Sequence, residues 1–122
     1  MPVTGRYLFT ASMDIPKEQE ALFNEVYDEE HVPLLNKVPG VVSVARFKRQ
    51  ELTLAIGGEL RTIVVEDEPT YSAIYEVESA DVITSDAWME ASESGRWPEE
   101  IRPYTHNRRH TLRKILLPGE SD

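Results

Sequence analysis

The chain has 122 residues, enough for one ordinary domain to bury its own core without staples. It has no cysteine, which excludes disulfides, thiolate nucleophiles, zinc–thiolate centres and cysteine-held iron–sulfur clusters, and which fits a reducing, cytoplasmic setting. With 22 acidic and 13 basic side chains the net charge is −9, which argues against general nucleic-acid binding, and the apolar runs are too short to predict a secretory leader or a membrane span.

In chain order, Tyr7 to Met13 predicts the first strand, with Tyr7, Phe9, Ala11 and Met13 on one face. Asp14-Ile15-Pro16 switches the chain to a helix over about 16–37, where Pro16 suits a first-turn position and Glu18 and Glu20 suit the positive end of the dipole. At the helical spacing Leu22, Phe23, Val26, Tyr27, Leu34 and Val38 share one stripe, while Pro33 must kink or stop the helix. Val38-Pro39-Gly40 is a turn signal, and Val41 to Lys48 is the second strand. Its continuation, 51–56, meets 59–65 across Gly57-Gly58 in a predicted hairpin.

Thr70 to Val77 predicts another strand, with Tyr71, Ala73, Tyr75 and Val77 on one face. Ser79 and Ser85 are candidate caps and Gly95 a candidate stop for a second, broken helix carrying Val82, Ile83, Ala87, Trp88 and Ala91. Trp97-Pro98 opens a further turn, residues 105–117 form a polar last strand, and residues 118–122 make a loose tail outside an ordered core of 5–117. The balance of charge shifts along the chain, because residues 102–122 carry 5 basic and 2 acidic side chains against 8 and 20 in residues 1–101. Arg102, Arg108, Arg109, Arg113 and Lys114 therefore either hold an anionic ligand or pair with acidic groups elsewhere.

The resulting order is βαββαβ with an extra hairpin, a single α+β domain of the ferredoxin-like kind over residues 1–122. It predicts a four-stranded antiparallel sheet with both helices on one face. The other face then has no cover within the chain, and a homodimer packed sheet against sheet is the economical answer.

Phe23-Asn24-Glu25-Val26-Tyr27-Asp28-Glu29-Glu30-His31-Val32-Pro33-Leu34-Leu35, followed by Val38-Pro39-Gly40-Val41 and Arg46-Phe47, resembles the dimeric α/β-barrel superfamily, particularly EthD-like and stress-responsive barrel proteins. The motif covers about residues 23–47 and the element order about 5–117. The resemblance implies a ligand between the helices and the sheet, with the first helix and His31 along the pocket wall. Its members include cofactor-independent monooxygenases, cyclases, isomerases, haem-degrading enzymes and proteins without a known reaction, so the fold alone does not choose a chemistry.

His31 lies one turn after Tyr27, at the edge of the apolar stripe, where an imidazole suits a proton shuttle or a structural hydrogen bond near the Pro33 kink. Glu30 falls near the middle of the stripe if the helix is unbroken, so its carboxylate is paired, protonated or facing a cavity; otherwise the helix unwinds and Glu30 reaches water. Arg46 and Tyr75 project to the pocket or to the subunit interface, and Trp88 and Trp97 are either aromatic walls or core. His106 and His110 share a strand face nearly 13 Å apart at the ordinary strand rise and cannot chelate one ion, and no metal motif is present. The expected activity is a cofactor-independent oxygenation, cyclisation or isomerisation of a small apolar or aromatic ligand. In it His31 moves a proton, and Tyr27 and Tyr75 position or polarise the ligand. The alternative is a non-catalytic homodimeric binding module, with haem a lesser possibility through one axial histidine.

Overall fold

The computed structural model describes residues 6–121. Along them run β1 (Tyr7–Asp14), α1 (Glu20–Val26), α2 (Val32–Asn36), β2 (Val41–Lys48), β3 (Leu52–Ile56), β4 (Glu59–Ile63), β5 (Tyr71–Val77), α3 (Asp86–Ser92) and β6 (His106–Lys114). Four strands make one antiparallel sheet in the order β2-β5-β1-β6. This is the ferredoxin-like arrangement, with β3 and β4 inserted as a ribbon of their own rather than as a continuation of β2. The ribbon turns through Gly57 and Gly58 at φ 61° and 83°, values that suit glycine and a two-residue hairpin turn.

Strand alternation places the core as the sequence predicts. Phe9 pairs with Tyr75, Ala11 with Ala73 and Met13 with Tyr71, and these side chains face the helices. The two alanines at the middle of the sheet leave room there for rings descending from the helices. Phe23 from α1 is fully buried and meets Tyr27, Tyr71 and Trp97 at ring separations of 5.2, 5.0 and 6.2 Å.

The predicted first helix is continuous but not uniform. A 3₁₀ turn (Lys17–Gln19) leads into α1, then a π turn (Tyr27–His31), then α2. In an unbroken α-helix the Pro33 ring would collide with the carbonyl four residues back. The wider turn relieves that crowding: the Val32 N–H donates to the Tyr27 carbonyl, five residues back, and the helix continues to Asn36. Pro33 thus does not stop the helix. The extra residue in the turn shifts the phase of the helix, bringing His31 from the edge of the apolar stripe into the core and carrying Glu30 out of it.

The second helix is broken as expected, into a 3₁₀ turn (Ala80–Thr84) and α3. Ser85 caps α3 by accepting the Trp88 N–H at 3.1 Å, whereas Ser79 makes no side-chain cap. Gly95 ends the segment at φ 73°, where an added Cβ would lie 2.6 Å from Glu30 Oε1. A second π turn (Trp97–Ile101), opened by Pro98, then packs against α1 and the first π turn.

Two expectations for the C-terminal strand are corrected. Ser12 faces Arg109 while Asp14 faces His106, so β6 carries one extra residue, a bulge at Asn107 with φ 51°. The bulge reverses the alternation, and His106 and His110 fall on opposite faces instead of sharing one. Burial raises the Asp14 carboxyl, but hydrogen bonds from Asn107 (2.9 Å) and the Thr70 N–H (2.7 Å) outweigh it and hold the group below its ordinary range. The strand ends at Lys114 rather than Leu117, and beyond it Glu120 accepts the Leu117 N–H at 2.8 Å and pairs with Arg6 at 3.1 Å, while Asp122 of the expected tail lies outside the described residues. Among the described residues no helix is long and apolar enough to cross a membrane.

Candidate functional site

Between the helix-facing side of the sheet and the two π turns lies a cleft of about 150 Å3. His31, Tyr27, Tyr75, Trp88 and Trp97 all line it, with Phe9 and Met13 from β1. The site depends on both π turns. His31 closes the first and Trp97 opens the second, and their rings stack 4.3 Å apart at 21°. Tyr27 stands edge-on to His31 at 5.1 Å and to Trp97 at 4.9 Å. Trp88, held by the Ser85 cap, meets Phe9 and Tyr75 edge-on at 5.8 and 5.2 Å.

His31 is only 5% exposed, and its Nδ1 is buried without a hydrogen-bond partner. Burial, reinforced by the nearby Arg102 charge and opposed by Glu93, lowers its pKa to about 4. The imidazole is therefore neutral at pH 7. Burial likewise raises the pKa of Tyr27 and, far more, that of Tyr75, and the two hydroxyls are hydrogen-bonded to each other. Both phenols stay protonated, so one of the pair's two hydroxyl protons lies between them and the other is free to point elsewhere.

The remaining polar lining comes from the C-terminal part of the chain. Arg102 is committed to Glu93, with Nη1 2.9 Å from Oε1, and to the Ser92 carbonyl at 3.2 Å. Arg108 and His110 project from β6 into the lining, where His110 stacks on Phe9 at 5.9 Å. Burial and the Arg108 charge both lower the His110 pKa.

Two of the residues expected at the pocket lie elsewhere. Glu30 faces outward and clamps Arg96, accepting its backbone N–H at 2.8 Å and its Nε at 2.5 Å. Arg46 is on the helix-facing side of β2 but beyond Tyr27. Its guanidinium lies 4.6 Å from the Tyr27 ring centre and binds Asp28 and Asn24, each at 2.8 Å. Sequence reasoning does not mark Arg102, Arg108, His110 and Phe9 as lining residues. The basic end of the chain is the available signal for the first two, and which face of β6 carries Arg108 and His110 is set by the strand's register against β1.

Among the described residues no group of three or more His, Asp or Glu side chains is placed to hold a metal ion. No family profile and no curated protein matches the chain. Among solved structures it is similar to the haem degrader MhuD of Mycobacterium tuberculosis, determined with two haems bound in its active site. The two superpose with a TM-score of 0.59 at 11% identity, over 91% of this chain and 96% of that one. At that identity the likeness establishes the ferredoxin-like fold and carries no chemistry with it.

Proposed function

We propose that the cleft takes a small apolar or aromatic ligand and that His31 moves a proton on it without a cofactor, in an oxygenation, cyclisation or isomerisation. The observation that carries this reading is the buried, unpartnered Nδ1 of His31. An unsatisfied buried polar atom costs about 1–3 kcal/mol, and stacking on Trp97 does not replace the missing hydrogen bond. A ligand in the cleft that His31 lines would, once a small turn of the ring brings Nδ1 to it. Neutral imidazole is a proton acceptor at pH 7. Its basicity rises when proton transfer leaves an anion beside the new imidazolium. The Tyr27–Tyr75 hydroxyl pair offers its free proton to an oxygen where negative charge develops, and the tryptophans flank a planar body. The resemblance to EthD-like and other dimeric α/β-barrel proteins supports the same placement.

The test is a screen of small aromatic and polyketide-like compounds against wild type and His31→Gln, following thermal shift for binding and mass spectrometry for turnover under air. The expected hit binds both proteins and is converted only by the wild type. Conversion undiminished in His31→Gln overturns the proton-transfer role, and an absence of any binding compound at millimolar concentration overturns the ligand role.

Haem is the competing ligand because the similar structure holds it. Haem is a macrocycle larger than the cleft, whose volume of about 150 Å3 suits a one- or two-ring body, and Trp97 already covers one face of His31. Haem does not fit the cleft as it stands. A Soret shift on adding haem, lost in His31→Ala, would replace the present reading.

The opposite face of the sheet carries Leu8, Thr10, Ala45, Ile74 and Phe47, the last 51% exposed. A second copy packed sheet against sheet would cover it, which extends the reading to a homodimer.

A further inference from the structure

The arginines at the C-terminal end divide sharply by partner. Arg102 binds Glu93, Arg109 donates to the Asp67 carbonyl at 3.0 Å, and Arg113 donates to Thr111 Oγ1 at 2.8 Å. Arg6, Arg46, Arg49, Arg61 and Arg96 each have a hydrogen-bonding partner as well. Among the described residues Arg108 alone of the arginines has none, and it lines the cleft. The chain carries 22 carboxylate side chains, yet no aspartate or glutamate lines this cleft. Glu93, which approaches it, is neutralised by Arg102. The polar groups that remain are neutral or donors: His31, the two tyrosine hydroxyls, Ser92, His110 and the free guanidinium.

We infer that the ligand is an anion, a flat aromatic or conjugated body bearing a carboxylate or an acidic enol, with its charge received by Arg108. The inference rests on the ligand reading of the cleft given above and specifies the class of compound. A guanidinium presents paired N–H donors that match a carboxylate, and charge-assisted bonds of this kind are about twice as strong as neutral ones. The rings of Trp88 and Phe9 supply the apolar body site, and the edge of β6 supplies the charge. His110, stacked on Phe9 beside Arg108, adds a second donor to the same end.

Matched acids and primary amides separate charge from shape. Benzoate, cinnamate and 2-naphthoate, each with its amide, are titrated into the intact chain by calorimetry, with the indole N–H signals of Trp88 and Trp97 followed by NMR to locate binding. At least one acid is expected to shift the indole signals and to bind at least tenfold more tightly than its amide. Arg108→Gln should weaken the acid at least tenfold and the amide less than twofold, and Arg108→Lys should keep part of the preference. Arg109→Gln, on the other face of β6, should change neither. Equal affinity for acid and amide, or an acid indifferent to Arg108→Gln, overturns the inference and leaves the ligand reading standing. If no acid or amide shifts the indole signals, the ligand reading falls and this inference falls with it.

Discussion

Lowering the pH from neutral should destabilise this fold through His31. The imidazole titrates near 6.5 in the unfolded chain and near 4 in the folded one. Between those values the unfolded chain takes up a proton that the folded chain refuses, so stability falls as the pH drops. It is complete above about pH 6.5, declines towards pH 4, and suffers no further loss from this group below that. At about 1.4 kcal/mol per unit of difference the total is about 3 kcal/mol, and no discount for solvent applies because the side chain is only 5% exposed. That is a large share of the roughly 5–15 kcal/mol typical of a domain. Urea unfolding of wild type and His31→Gln, repeated at half-unit steps from pH 7.5 to 4, isolates the effect. Other groups, His110 among them, titrate in both proteins and cancel in the difference. The wild-type curve should lose about 3 kcal/mol more than the variant curve across the window. Parallel curves, or an NMR titration of His31 with a midpoint above 6, would refute the account of a desolvated neutral imidazole.

Phe23→Ala removes a fully buried ring at the junction of α1, β5 and the second π turn. It should cost about 3–5 kcal/mol, read as a fall in Tm by calorimetry, and a loss below 1 kcal/mol would mean the aromatic cluster is not packed as described. Gly95→Ala forces φ 73° on a residue with a Cβ and drives that atom onto the Glu30 carboxylate. A loss of at least about 1 kcal/mol in urea unfolding is expected, with Gly119→Ala, where φ is also positive but the space is open, losing less. Light scattering at micromolar concentration should give twice the 13.9 kDa chain mass, and a monomer would remove the second copy from the open sheet face.

The element order was legible in the sequence because each segment carries its own period. Tyr7, Phe9, Ala11 and Met13, and likewise Tyr71, Ala73, Tyr75 and Val77, alternate as a half-buried strand must, and the faces they share are the buried ones. His31, Tyr27, Tyr75, Trp88 and Trp97 were visible for the same reason, as polar or large aromatic residues at or beside apolar stripes, and the structure gathers them around one cleft.

Two places stayed illegible, each where a single residue is added to a regular element. In the π turn before Pro33 that residue exchanges the positions of Glu30 and His31, sending one to Arg96 and the other into the core. In β6 the bulge at Asn107 turns His106 to the face opposite His110, while Arg108 stays on the cleft side with His110. A periodic pattern sums the steps along the chain, so one inserted residue rephases every position beyond it. Whether a strained position is relieved by widening, bulging or breaking depends on what packs against it. Local composition determined the elements, and tertiary contact decided which side chains they point at one another.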